Sequence, residues 1–127
     1  MNSLLITGTT IVFFALASYS IAIITEQRKK KIISRVLIFL TLGVLLDITA
    51  TTFMILGSKN GGLTLHGFIG YSSLLAMFID AVLIWRLRHK NGTGADVPKG
   101  LHMYSRYAYI WWVLAFITGA LLVAIKP

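Results

Sequence analysis

Residues 64–90 read TLHGFIGYSSLLAMFIDAVLIWRLRHK, and the reading of this stretch decides the fold. It is apolar over more than the roughly 20 residues that a helix needs to cross a hydrocarbon core. On a helix, residues three or four apart share a face, and one such face carries His66, Gly70, Ser73, Met77 and Asp80. The remaining faces carry Leu63, Phe68, Leu74, Leu75, Phe78, Ile79, Val82 and Leu83, which suit lipid or apolar neighbours. An acid and a histidine inside a bilayer helix are costly and point to function by default. The stretch therefore predicts a membrane-spanning helix with one small, polar, inward stripe.

The rest of the composition agrees. A chain of 127 residues is one domain by length. Its hydrophobic fraction of 57% and mean hydropathy of +0.81 are too high for a soluble domain of this size, whose polar surface must cover a small core. The chain has 12 Lys and Arg and a formal charge of +8. These cations flank the apolar runs and form no stripe that tracks a phosphate backbone, so no nucleic-acid surface is predicted. With no cysteine there is no disulfide framework, no thiolate metal site and no attachment sequence for covalent haem.

Taken in order, the chain predicts an all-α, integral membrane bundle of four transmembrane helices over residues 2–25, 36–57, 64–88 and 101–125, running up-down-up-down. The first run lacks the basic leader and small-residue cleavage pattern of a signal peptide and reads as a retained helix. Gly8, Ala15 and Ala22 fall seven apart on it, giving a flat seam that lets helices approach closely in lipid. Residues 26–35 read as a short basic loop. The second run, 36–57, carries Asp47 near its midpoint, with Gly43, Thr51 and Met54 on the same face. SKNGGL at 58–63 has the signature of a tight turn, which makes helices two and three antiparallel neighbours. Residues 86–100, rich in charge and glycine, read as a mobile loop. Tyr104, Tyr107, Tyr109, Trp111 and Trp112 form an aromatic belt where the fourth helix begins. Basic first and third loops against a nearly neutral second loop put both termini outside and the basic loops in the cytoplasm.

Depth limits which groups can meet. With a rise of about 1.5 Å per residue, His66 and His102 lie at opposite ends of the bundle, about 30 Å apart, and cannot sandwich one haem. His66 fits an interfacial histidine bonded to its loop and a metal or haem ligand about equally. Gly67 and Gly70 beside it leave room for a flat macrocycle. His102, among tyrosines and tryptophans, reads as an interface anchor more readily than as a ligand, and His89 as a solvated residue. Met54 and Met77 read first as packing. Asp47 is expected to bond to Thr51, Ser73 or a tyrosine, and Asp80 to pair with Arg106, whose long stem reaches inward. No nucleophile elbow, P-loop or zinc-spaced histidine pair is present.

Three blocks, LGVLLDITATTFM in the second run, LHGFIGYSSLLAM in the third and HMYSRYAYIWWV in the fourth, resemble the HsmA family of small four-helix haem-sensing membrane proteins of bacteria. The resemblance spans nearly the whole chain. It implies non-covalent haem b bound in a plasma-membrane bundle, with a role in haem capture and limiting haem or oxidative stress. It directs attention to His66 and His102 as metal ligands. A b-type haem needs an axial donor, a dry slot and a polar rim for its propionates. An outer haem on His66 would use Gly67, Gly70 and Met54, with Lys59 and the amides of Gly61 and Gly62 at the rim. An inner haem on His102 would have Arg86, Arg88, Lys99 and Arg106, with Tyr104 and Asp47 deeper in the same bundle.

Three histidines in total cannot supply two bis-histidine haems in one protomer. Single-histidine sites, Met and His ligation, or completion across a homodimer remain. A haem protein that sequesters the cofactor or passes electrons is the first expectation. The alternative is a small dimeric proton-coupled exporter acting through Asp47, resembling small multidrug resistance transporters, although their acid lies in the first helix, where residues 2–25 have none. A third is an assembly subunit whose polar groups only pack helices.

Overall fold

The computed structural model describes residues 3–57, 65–92, 94 and 96–125, and the side chains of all of these except 5, 65, 66 and 122–125. It consists of four helices, α1 (Ser3–Lys29), α2 (Ser34–Gly57), α3 (Leu65–Asn91) and α4 (Lys99–Ile125). No strand is present among the described residues. Three of the helices contain stretches long and apolar enough to cross a membrane, Ile6–Lys29, Ser34–Gly57 and Gly67–Asn91. The helices form a closed ring, each touching two neighbours, with α1 against α2 and α3 against α4 the most intimate pairs and α1 against α4 the least. Contacts fix their directions. Gly8 meets Met54 while Tyr19 meets Gly43, and Trp111 meets Ser72 while Tyr104 meets Ala76, so both pairs are antiparallel.

The distribution of side chains is that of a protein dissolved in hydrocarbon. Phe13, Phe14, Ile38, Leu45, Leu56, Phe68 and Leu75 each expose more than half of their surface, while Glu26, Asp47, Asp80, His102, Ser73 and Ser105 are buried. Three of the four acids in the chain are inside. In water this arrangement would expose a continuous apolar girdle; in lipid it satisfies both surfaces at once. The stripe expected on α3 is inward over Ser73, Met77 and Asp80, and Phe68, Leu75, Phe78, Ile79 and Val82 face outward.

The seam on α1 makes the tightest joint. Ala15 and Ala22 are fully buried, as is Tyr19 between them. The Tyr19 ring packs directly against Gly43, where a Cβ would stand 2.5 Å from its Cδ1 and 2.7 Å from its Cε1. At the other end a Cβ on Gly8 would stand 2.9 Å from Met54 Cγ and 3.1 Å from the Ala50 carbonyl oxygen. Glycine is needed at both points because two backbones and a large side chain share the space.

The helices extend further at the basic end than the apolar runs suggest. Residues 26–29 continue α1 past the expected 25 and residues 89–91 continue α3 past the expected 88, so the expected loops at 26–35 and 86–100 shrink to 30–33 and 92–98. A hydropathy boundary marks where lipid stops, and Arg, Lys and Leu are good helix formers beyond it. α3 ends at Gly92, which takes a positive φ of 84° and donates its amide to the Arg88 carbonyl at 2.7 Å. Nor is the third connection free. The Gly94 amide donates to the Ile32 carbonyl at 2.6 Å and the Val97 amide to the Lys30 carbonyl at 2.9 Å, with Lys31 and Asp96 bridged in antiparallel register. The exposed Lys31–Asp96 ion pair, at 3.9 Å, adds little.

Replacing Gly43 with alanine has to displace a ring that has no free space. Gly43→Ala is expected to destabilise the bundle by about 1–3 kcal/mol, read as a lower melting temperature in detergent. Gly100→Ala, where an added Cβ meets nothing within 4 Å, should melt like the wild type.

Candidate functional site

The buried polar groups fall into two layers. The layer at the basic end is assembled by α1 and α4. Because α1 continues past Thr25, Glu26 turns into the bundle and is 1% exposed. Its Oε2 lies 2.8 Å from Nδ1 of His102, which the first turn of α4 holds through a bond from the His102 amide to the Pro98 carbonyl. Gln27 Nε2 donates to Glu26 Oε1 at 2.6 Å and to the His102 carbonyl at 3.0 Å. Arg106 Nε donates to Gln27 Oε1 at 2.9 Å, and its Nη2 lies 3.4 Å from His102 Nε2.

One tautomer satisfies all of these contacts. A carboxylate only accepts and a guanidinium only donates. The proton therefore belongs on Nδ1, donated to Glu26, and the lone pair on Nε2, facing Arg106. Such an imidazole is fixed in orientation by a buried carboxylate and presents its donor nitrogen toward an exposed, long-stemmed arginine. Among the described residues no three His, Cys, Asp or Glu side chains converge on a metal position.

Next toward the middle of the bundle is Asp80, fully buried. Ser105 Oγ donates to its Oδ1, and its Oδ2 has no hydrogen-bond partner among the described residues. The expected Asp80–Arg106 pair does not form. Arg106 is turned outward toward Gln27 and His102, and the adjacent Ser105 occupies the inward position of that helical turn. Tyr104 donates to the Ala76 carbonyl at 2.8 Å, locking α4 to α3 beside this acid.

The second layer is centred on Asp47, 4% exposed. Its Oδ2 accepts from Tyr19 Oη at 2.9 Å and from Trp112 Nε1 at 2.8 Å. The two rings meet edge to face, with centroids 4.9 Å apart, and Trp112 stacks on Phe116 at 6.0 Å. Of the partners expected for Asp47, a tyrosine is the one found. Ser73 donates to the Gly70 carbonyl instead, at 2.8 Å.

At the far end the site residues do not all come into view. His66 is the second residue of α3, but its side chain lies outside the described residues, as do Lys59, Gly61 and Gly62. Gly67 and Gly70 are half-buried on α3, and space is open beside Gly70, where a Cβ would meet nothing within 4 Å. Met54 is half-buried and packs against Gly8. The structure thus brings His102 and Arg106 together, and keeps Asp47, Tyr104 and Met54 at separate contacts.

Sequence reasoning missed Glu26, Gln27, Tyr19, Ser105 and Trp112. Glu26 carried a usable signal: it is the only glutamate in the chain and directly abuts an apolar run. No family model, curated protein or solved structure matches the chain.

Removing the Asp47 carboxylate strands two buried donors on two different helices, each costing about 1–3 kcal/mol. Asp47→Ala should therefore lower the melting temperature in detergent markedly. Asp47→Asn keeps an acceptor and should lose clearly less, and equal losses would show that the Tyr19 and Trp112 bonds contribute nothing.

Proposed function

We propose that this chain is a four-span protein of the bacterial cell membrane that binds haem b non-covalently, using His102 at the basic end of the bundle and His66 at the other. α4, as long as α1 and α3, is the fourth span. The cluster of Lys and Arg at 28–35, at 86–90 and at 99, against Lys59 alone in 58–63, favours that end in the cytoplasm and both termini outside.

The observation that carries the reading is the Glu26–His102 bond at 2.8 Å. Metal-ligating histidines are commonly oriented by a carboxylate on the nitrogen that does not bind, which fixes the tautomer and makes the donor nitrogen more basic. A solitary histidine donor suits a metal whose remaining ligands come from a macrocycle. Around it, Arg106 and Lys99 are exposed and suited to propionates. A separate cleft of about 530 Å3 lies between α3 and α4, bordered by Arg86 and Tyr104 and walled by Leu83, Leu87 and Leu101; His102 does not line it. Haem would supply the iron and its redox chemistry. The protein would supply the oriented donor, exclusion of water and charge neutralisation at the rim. Capture alone suits sequestration and oxidative-stress defence, and redox cycling suits electron transfer.

A dimeric proton-coupled exporter remains the second reading, favoured by the unpartnered Oδ2 of Asp80 in a core that also buries Asp47 and Glu26.

Protein expressed with added haem and purified in detergent should show a Soret band that shifts on reduction. His102→Ala should lose more than half of that band. Glu26→Gln should keep the colour while weakening haem affinity about 10–100-fold. A colourless wild type, with substrate efflux abolished by Asp47→Asn, would overturn the haem reading in favour of the exporter.

A further inference from the structure

A cleft of about 800 Å3 opens on the bilayer-facing surface between α2 and α3, away from the Glu26–His102 pair. Its floor is Val44 and Ala81, nearly buried, and its walls are Leu45, Ile48, Phe78 and Val82, each more than 40% exposed. Toward the basic end it is braced by Trp85, whose Nε1 donates to Thr41 Oγ1 at 2.8 Å across the two helices. Arg86, His89 and Lys90 ring its mouth, and no acid lines it.

We propose that this cleft is a binding site for one anionic phospholipid of the leaflet at the basic end. An acyl chain fits the walls, which below the mouth run for about two helical turns, from Trp85 to Phe78 on α3, and are apolar except for Thr41. The headgroup supplies what the mouth lacks. Among the described acids, Asp96 alone is exposed, and it is engaged with Lys31, so Arg86 and Lys90 have no protein carboxylate within reach of the cleft. Basic clefts between transmembrane helices on the cytoplasmic side bind anionic headgroups in this way. A second copy of the chain is the poorer occupant, because in the same orientation it would bring its own basic end against this one.

The site rests on the membrane assignment and is independent of haem. The test is native mass spectrometry of the detergent-solubilised chain titrated with phosphatidylglycerol and with phosphatidylcholine of identical acyl chains. Phosphatidylglycerol is expected to bind at least about tenfold more tightly. The double variant Arg86→Gln/Lys90→Gln should remove that preference, and Ile48→Trp, which fills this cleft alone, should weaken phosphatidylglycerol binding as much. Arg28→Gln/Lys29→Gln, equal in charge removed, exposed and outside the cleft lining, should leave it unchanged.

Equal affinity for the two lipids overturns the site, as does an equal loss in the Arg28/Lys29 variant, which would mark diffuse charge attraction. A dimer mass converted to monomer by Ile48→Trp overturns it in favour of a second copy. Liposome flotation separates the two levels: a chain that floats but shows no preference keeps its membrane assignment and loses the lipid site.

Discussion

A carboxylate placed in hydrocarbon has no water to turn to, so the protein must bring its partners to it. Asp47 on α2 meets that constraint by accepting from Tyr19 on α1 and Trp112 on α4. One oxygen atom thereby sets the depth of three helices relative to one another. The apolar surfaces that fill the rest of the interior have no such directional preference, since lipid is as apolar as they are. The close approach of Tyr19 to Gly43 follows from the same requirement: the ring must pass across α2 to present its hydroxyl, and a side chain at 43 would stand in its path.

Much of the architecture was legible because it depends on local composition. Apolar runs gave four helices, and helical spacing gave the inward face of α3 down to Ser73, Met77 and Asp80. The partners of those faces were not legible. Spacing identifies which side chains point inward but carries no information about what stands opposite, and so Asp80 found Ser105 rather than Arg106. Helix ends were misjudged for a related reason. Hydropathy reports the lipid boundary, whereas α1 and α3 run on into the charged segment. That overshoot is what carries Glu26 into the core beside His102, so the misplaced boundary and the missed site residue are one error.

The charge pattern gains meaning from the structure. A net charge of +8 arises from a basic exterior around an acidic interior, with Glu26, Asp80 and Asp47 stepping from the basic end toward the middle of the bundle. Buried carboxylates of this kind add little net stability compared with apolar packing, and losing one partner leaves a heavy penalty. Their presence in so small a core is better explained by what they orient. For Glu26 that is the imidazole of His102, whose other nitrogen faces the long-stemmed, exposed Arg106, and the haem proposal rests on that orientation.

The two connections at the basic end are stitched backbone to backbone, at Ile32 with Gly94 and at Lys30 with Val97. Main-chain bonds thus join the α1–α2 hairpin to the α3–α4 hairpin at the basic end, and at the other end the chain itself runs from α2 into α3 within a few residues. Tied at both ends and pinned in the middle by Asp47, the four rods have no end left to splay, and the openings that remain are lateral, between α2 and α3 and between α3 and α4.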